Sequence, residues 1–563
     1  MGEQRNEQET IQLEVRGMTC DSCAVHVRRA LESVPGVRRA DVPGWQSARA
    51  TVKAAPGVSD EALSLAVSRA GYRARVTSRQ RLAATQPGND ERPLRRGHTD
   101  YDLMVIGGGS AGFAAAIKGA ELGFKVALVE AETIGGTCVN VGCVPSKALI
   151  RAVELYHLAG QHRFRGVHTT PGRISWPEVI AHKDALVKEL RQAKYEDVLA
   201  AYPEITYIQG RARLTGKNGV EIEGRSYAPG KIIIATGASP WAPPIPGLDE
   251  VPYLDSTSAL ALKELPRSMI VLGANAVGLE LAQAYARAGT VVTVLEVLPR
   301  IAPFEDEDIS TALAEYLEEE GLRIVSAFKT TRVERRDGRT ILTGTKDGAE
   351  MRFDAEQLLV ATGRRPNTAG LGLEDAGVTL GKRGEILVND RLQTSNPFIY
   401  AAGDVTGRDM FVYVAAYAGA LAAENALTDA GRVYDAGYIP RITFTDPQIA
   451  SAGLTEAQAR EQGYEVKVST LPMVHVPRAL AARDTRGLIK LVADAATDRL
   501  LGAHILAPEA GEMIQTAVLA IRFGITVREL RETMFPYLTN VEGLKLAALS
   551  FEKDVAKLSC CAG

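Results

Sequence analysis

A strand, a glycine-rich turn, a helix and a second strand ending in glutamate occur twice in this chain. In the first copy an apolar run over 103–106 is followed by Gly107, Gly109 and Gly112, in the spacing G-x-G-x-x-G. A small-residue helix over 111–122 comes next, then a strand over 125–129 ending at Glu130. The second copy has a strand over 269–272, Gly273 and Gly278, a helix through Ala288 and a strand over 291–295 ending at Glu296. From first glycine to glutamate is 23 residues in both. Such glycines allow a tight turn and let a pyrophosphate approach a helix N-terminus; the terminal carboxylate can accept hydrogen bonds from a ribose. Asn275 stands where the second copy would have its middle glycine. Glycines can also be selected by packing, but two copies in full strand–helix–strand context predict two dinucleotide-binding folds.

Each copy is followed by a predicted strand ending in Ala-Thr-Gly, over 231–237 and 357–363, and Asp404 follows Gly403 after an apolar strand. The 563 residues leave room for about three to four domains. Residues from about 10 to 77 read as a separate module with strands over 11–15, 48–53 and 72–76 and helices over 24–34 and 59–70. The stretch 78–96 has no periodicity and reads as a tether. A net charge of −3 excludes a bulk-basic nucleic-acid binder. The polar N-terminus does not read as a secretory signal, and no uncharged apolar run reaches the ~18 residues of a membrane span. A cytoplasmic location is expected.

All six cysteines fall into close pairs: Cys20 and Cys23, Cys138 and Cys143, Cys560 and Cys561. Without an export signal such pairs point to metal-binding or redox-active thiols rather than structural disulfides. Cys143 precedes a predicted helix over 146–156, whose dipole favours a thiolate at its N-terminus.

Two dinucleotide folds, an Ala-Thr-Gly after each and the late Ala-x-Gly-Asp resemble the pyridine nucleotide–disulfide oxidoreductase family of flavoproteins, from about Asp100 onward. The first module resembles the heavy-metal-associated domain, a ferredoxin-like βαββαβ fold whose C-x-x-C binds soft metals. The resemblance implies an α/β chain with two Rossmann-like domains and an α+β dimerisation domain. The implied boundaries are a metal-binding domain at 1–77, a linker at 78–98, an FAD domain at 99–255 and 386–435, an NAD(P) domain at 256–385, and a dimerisation domain at 436–563. It further implies Cys143 as the flavin-proximal thiol and Cys138 as the outer one, with Lys147 near the flavin N5. Thr137, Gly112, Glu132, Ala212, Val412 and Asp404 are implied FAD contacts beside Gly107, Gly109 and Glu130. Gly273, Gly278 and Glu296 are the corresponding coenzyme positions.

Most of that family uses a histidine base near the C-terminus. Aligned on Glu542, its position here is Tyr537, and the last histidine is His504. A tyrosine titrating near 10 is a poor base at neutral pH. Two thiols, a flavin and no imidazole suit a soft metal ion, which moves between thiol pairs by ligand exchange. The segments around Cys20, Cys138 and Tyr537 and the ending Ser-Cys-Cys-Ala-Gly resemble the members of the family that reduce Hg(II). That implies a homodimer in which Cys560 and Cys561 serve the partner's site, receiving Hg(II) from Cys20 and Cys23 or from small thiols. Tyr253 and Tyr537 match active-site tyrosines. Two alternatives stay open here: a reductase of organic disulfides, and a metal-binding protein whose reductase body is secondary. The family favours NADPH, whereas Glu296 favours NADH; Arg300 lies four residues on, and use of both with a weak NADPH preference is expected.

Overall fold

The computed structural model describes residues 8–18, 27–28, 30–32, 34–42, 47–55, 57–69, 72–82 and 99–557. The chain divides into two units between Arg96 and Gly97.

In the first unit four antiparallel strands lie in the order Val37–Asp41, Arg49–Ala54, Gln8–Arg16, Arg73–Leu82. Period-two alternation puts Ile11, Leu13 and Val15 on one face with Ala50, Val52 and Ala54. Leu63 and Val67 of helix Asp60–Arg69 complete that core. The strand order is that of a ferredoxin-like fold. The last strand continues through Leu82, where the sequence suggested a tether from Ser78 onward. Its polar stretch shows no apolar period, but it pairs with Gln8–Gln12 beyond a bulge, and Arg79 meets the buried Glu9 carboxylate at 2.5 Å.

In the second unit, one parallel sheet has the order Ile399–Ala401, Lys231–Ile234, Leu103–Ile106, Val126–Glu130, Ile205–Gln209. Another has the order Arg323–Val325, Val291–Leu295, Ser268–Leu272, Gln357–Val360. Strands such as Leu-Met-Val-Ile and Lys-Ile-Ile-Ile are apolar almost throughout, as parallel strands covered on both faces must be. The strands before each Ala-Thr-Gly stop at Ile234 and Val360, shorter than the sequence suggested. The tripeptides lie outside the strands, with Gly237 and Gly363 at positive φ. Helix Ser110–Glu121 packs on Val412–Thr428 so closely that a Cβ on Gly419 would lie 2.0 Å from the Ala111 carbonyl oxygen.

C-terminal to these, five antiparallel strands carry the helices Ala510–Arg522 and Glu542–Leu549. A buried ionic cluster holds this sheet against the second dinucleotide fold: Arg287 meets Glu320 at 2.6 Å and Asp446 at 2.8 Å, and Arg486 meets Asp446 at 2.9 Å. No helix among the described residues is long and apolar enough to cross a membrane.

Candidate active site

Cys138 lies in the short helix Gly136–Val141, and Cys143 is the first residue of the long helix Cys143–Leu158. The long helix begins three residues earlier than the sequence suggested, so Cys143 itself stands at its N-terminus. Gly142 makes the break between the helices; a Cβ there would lie 2.9 Å from the Thr137 carbonyl oxygen. Asn140 pins the first helix by donating to the carbonyls of Ile134 (3.0 Å) and Gly136 (2.9 Å).

Both cysteines are free thiols, half-buried. Cys138 donates a hydrogen bond to Cys143, which lowers the Cys143 thiol to about 7 against the opposing effect of burial; the nearby Lys147 adds to the lowering. Cys138 is raised for the complementary reason. One thiol is thus prepared as the thiolate and the other keeps its proton.

One turn along the helix, Lys147 Nζ lies 2.7 Å from Glu280 Oε2 and 4.6 Å from the centre of the Phe444 ring. The other oxygen of Glu280 accepts the Phe444 backbone N–H at 2.9 Å. Glu280 belongs to helix Ala276–Ala288 of the second dinucleotide fold, so this pair joins the redox helix to that fold.

The glycines of the first fold divide by role. A Cβ on Gly107 would meet the Ala235 carbonyl oxygen at 2.3 Å, and one on Gly112 the Gly107 carbonyl oxygen at 1.8 Å. Gly273 and Gly278 are constrained likewise, at 2.5 Å and 2.0 Å. A Cβ on Gly109 would meet nothing nearer than 3.7 Å. The chain itself leaves that position open, so the equivalent Asn275 fits without distortion as the N-cap of its helix.

Glu130 receives hydrogen bonds from the backbone N–H of Gly108 (2.6 Å) and Glu132 (2.8 Å). Glu132 itself is exposed and lines a cavity of about 490 Å³ with Ile134, Arg191 and Gln209. Ala212 is buried at the start of strand Ala212–Thr215, and Val412 opens its helix. Burial raises the Asp404 carboxyl above its ordinary range, an effect the Arg364 guanidinium at 3.9 Å partly offsets. Arg364 also donates to Thr137 Oγ1 at 3.4 Å, placing Thr137 and Asp404 around one cation.

Tyr253 is exposed in the segment leading to the short helix Ser256–Leu260, which packs on both cysteine helices. Tyr537 is exposed in the C-terminal domain, between Met534 and Leu538. Cys20, Cys23, Cys560 and Cys561 lie outside the described residues.

Residues 101–419 match the model of the pyridine nucleotide-disulphide oxidoreductase family, 439–548 its dimerisation domain, and 12–73 the heavy-metal-associated domain. Mercuric reductase from Staphylococcus aureus is 44% identical over 99% of this chain and 100% of its own. That from Shigella flexneri is 45% identical over 98% and 100%. The chain belongs to the mercuric reductases. Among solved structures similar to this mercuric reductase family member is the HOCl-induced flavoprotein disulfide reductase RclA from Escherichia coli. It is 33% identical, with a TM-score of 0.72, and the match covers 80% of this chain and 99% of that one.

Membership in the mercuric reductases brings FAD and a nicotinamide coenzyme. The residues present fit a flavin nucleotide: an open glycine turn at Gly109, and a half-buried Asp404 whose ion-pair partner Arg364 stands at 3.9 Å.

Three residues of this mercuric reductase site escape a sequence reading. Glu280 carried one signal, a charge inside an otherwise small and apolar helix face. Arg364 directly follows the second Ala-Thr-Gly. Tyr195 lies in the π-helical segment Gln192–Glu196 and packs edge-on against Phe113 at 4.9 Å; burial raises its hydroxyl, and Ser110 is its hydrogen-bond partner.

Proposed function

We infer that this chain reduces Hg(II) to Hg(0) with electrons from NAD(P)H, for mercury detoxification, and that Cys138 and Cys143 hold the metal as it is reduced. The observation carrying this is the hydrogen-bonded thiol pair at the start of helix Cys143–Leu158, in a chain with Tyr537 where a disulfide reductase has its histidine.

The Cys143 thiolate is the entering ligand. It displaces a thiolate from an incoming Hg(II) complex, and Cys138 displaces the second as its proton leaves. Two thiolates suit the linear coordination of a large, soft ion. Bound FAD would supply the relay of two electrons between nicotinamide and the thiol pair. Gly107, Gly109, Gly112, Glu130, Thr137, Ala212, Asp404 and Val412 are the residues proposed to hold it, with Gly273, Gly278 and Glu296 for the coenzyme. The net balance is one hydride consumed per Hg(II), giving Hg(0), oxidised coenzyme and one proton. Lys147, held by Glu280, fixes a positive charge beside the thiolate. The two tyrosines, Tyr253 and Tyr537, are proposed to position the ion. Cys560 and Cys561 are proposed to deliver it from the partner subunit of a homodimer, and Cys20 and Cys23 to collect it. A cytoplasmic location is proposed on the same reading.

The test is NAD(P)H oxidation by the flavin-loaded chain with Hg(II) and excess small thiol, set against oxidised glutathione. Turnover that needs Hg(II) supports the reading. Comparable turnover of glutathione disulfide would favour the organic disulfide reductase instead.

A further inference from the structure

Glu296 repeats, oxygen for oxygen, the hydrogen bonding of Glu130. Glu130 Oε2 accepts from the N–H 22 residues before it, Gly108 at 2.6 Å, and Oε1 from the N–H two residues after it, Glu132 at 2.8 Å. Glu296 Oε2 accepts from Ala274 at 2.7 Å, again 22 residues before, and Oε1 from Leu298 at 2.8 Å, two after. The first of these sites, read as the FAD site, must accept a ribose with free hydroxyls, because the flavin nucleotide carries no 2′-phosphate. The second is the same construction. A carboxylate offers about four lone-pair positions. Two backbone N–H groups leave it able to accept a ribose 2′-OH as well.

The surroundings of Glu296 offer little to a phosphate. It is only 6% exposed, held in place, and followed by the exposed apolar residues Val297 and Leu298. Arg300 is the nearest cation along the chain. Its guanidinium donates to the carbonyls of Pro303 (3.2 Å) and Glu305 (3.1 Å) and lies 3.8 Å from Glu307. Those bonds turn it into the following loop. Lys329 is exposed, next to Phe328, whose N–H donates to the Glu296 carbonyl.

We propose that the chain is built for NADH rather than NADPH, with Glu296 as the residue that selects it by accepting the ribose 2′-OH and repelling a 2′-phosphate. This rests on the reading that the second dinucleotide fold holds the nicotinamide coenzyme. It reverses the weak NADPH preference expected from sequence. Like charges brought together in a partly dehydrated site disfavour one another strongly. A phosphate placed there would therefore have to displace Glu296 from its two N–H donors.

The test uses the flavin-loaded full chain and the oxidised coenzymes, which bind without reacting. Calorimetric titration is expected to show NAD+ binding roughly tenfold or more tighter than NADP+. Glu296→Gln, close in size and uncharged, is expected to narrow that gap, and Glu296→Arg to reverse it. Equal or tighter binding of NADP+ by the unaltered chain would overturn the proposal. Loss of that NADP+ binding in Arg300→Ala or Lys329→Ala would identify the overriding cation. Flavin bleaching by NADH and NADPH separates the two levels. If neither bleaches the flavin, the coenzyme reading itself fails; if both do and NADP+ binds tighter, only the specificity assignment fails.

Discussion

Lys147 and Glu280 meet at 2.7 Å although 133 residues separate them in sequence. The lysine stands one turn beyond Cys143, and the glutamate lies in the helix that opens the second dinucleotide fold. Their contact fixes both the charge beside the thiolate and the position of one nucleotide fold against the redox helix.

The two partners act on Cys143 with opposite sign. Lys147 lowers its titration and Glu280 raises it. In the reduced chain, alkylation of Cys143 is expected to rise with pH through about 7, because the thiolate is lost below that point. Lys147→Met should move the midpoint up and Glu280→Gln should move it down. Alkylation profiles of the three proteins check this, and a shift in the same direction for both variants would contradict it.

Glu280→Ala should also destabilise the fold. It strands the Lys147 ammonium and the Phe444 N–H, a loss of roughly 1–3 kcal/mol once the partial exposure of Lys147 is allowed for. Denaturant unfolding measures it. Glu280→Gln, which can still accept from Phe444, should lose less.

The glycine turn separates folding from cofactor binding. Gly112→Ala would force a Cβ to within 1.8 Å of the Gly107 carbonyl oxygen and should cost roughly 1–3 kcal/mol or more in stability. Gly109→Ala meets nothing closer than 3.7 Å. It should therefore fold normally and lose flavin affinity. Thermal unfolding with a flavin-content assay distinguishes the two, and normal flavin content in Gly109→Ala would remove that glycine from the binding site.

These glycines show how far sequence reading goes. Spacing alone located both nucleotide folds, because the first and third glycines are forced by backbone contacts that any such turn must make. It also singled out the cysteine pair, whereas Lys147, in the same contiguous stretch, was marked only by the family resemblance. Glu280, Arg364 and Tyr195 were missed because they reach the site from elements far away in the chain, and no local period marks them. The last strand of the first unit was cut short for a related reason. Its partner, Gln8–Arg16, holds it through backbone pairing, which a polar stretch does not advertise.

The N-terminal unit has its own core, and removing residues 1–96 should leave residues 97–563 folded and flavin-loaded. Turnover of small-thiol mercury complexes should then persist and fall only when free thiols are scarce. Loss of flavin on truncation would contradict this.

The proposed delivery across the dimer is tested by mixed subunits. Cys560→Ala with Cys561→Ala should keep flavin reduction by coenzyme and lose efficient Hg(II) turnover. Heterodimers pairing that chain with Cys138→Ala, Cys143→Ala carry one intact tail and one intact thiol pair on different subunits. Activity above both parents is expected, and none would place the tail in cis.

The most direct measurement is the release of elemental mercury. The flavin-loaded chain, given NADH and Hg(II) as a small-thiol complex, should release one Hg(0) per NADH oxidised, and Cys138→Ala or Cys143→Ala should abolish that release. NADH oxidation without Hg(0), or undiminished release from either single variant, would contradict the account.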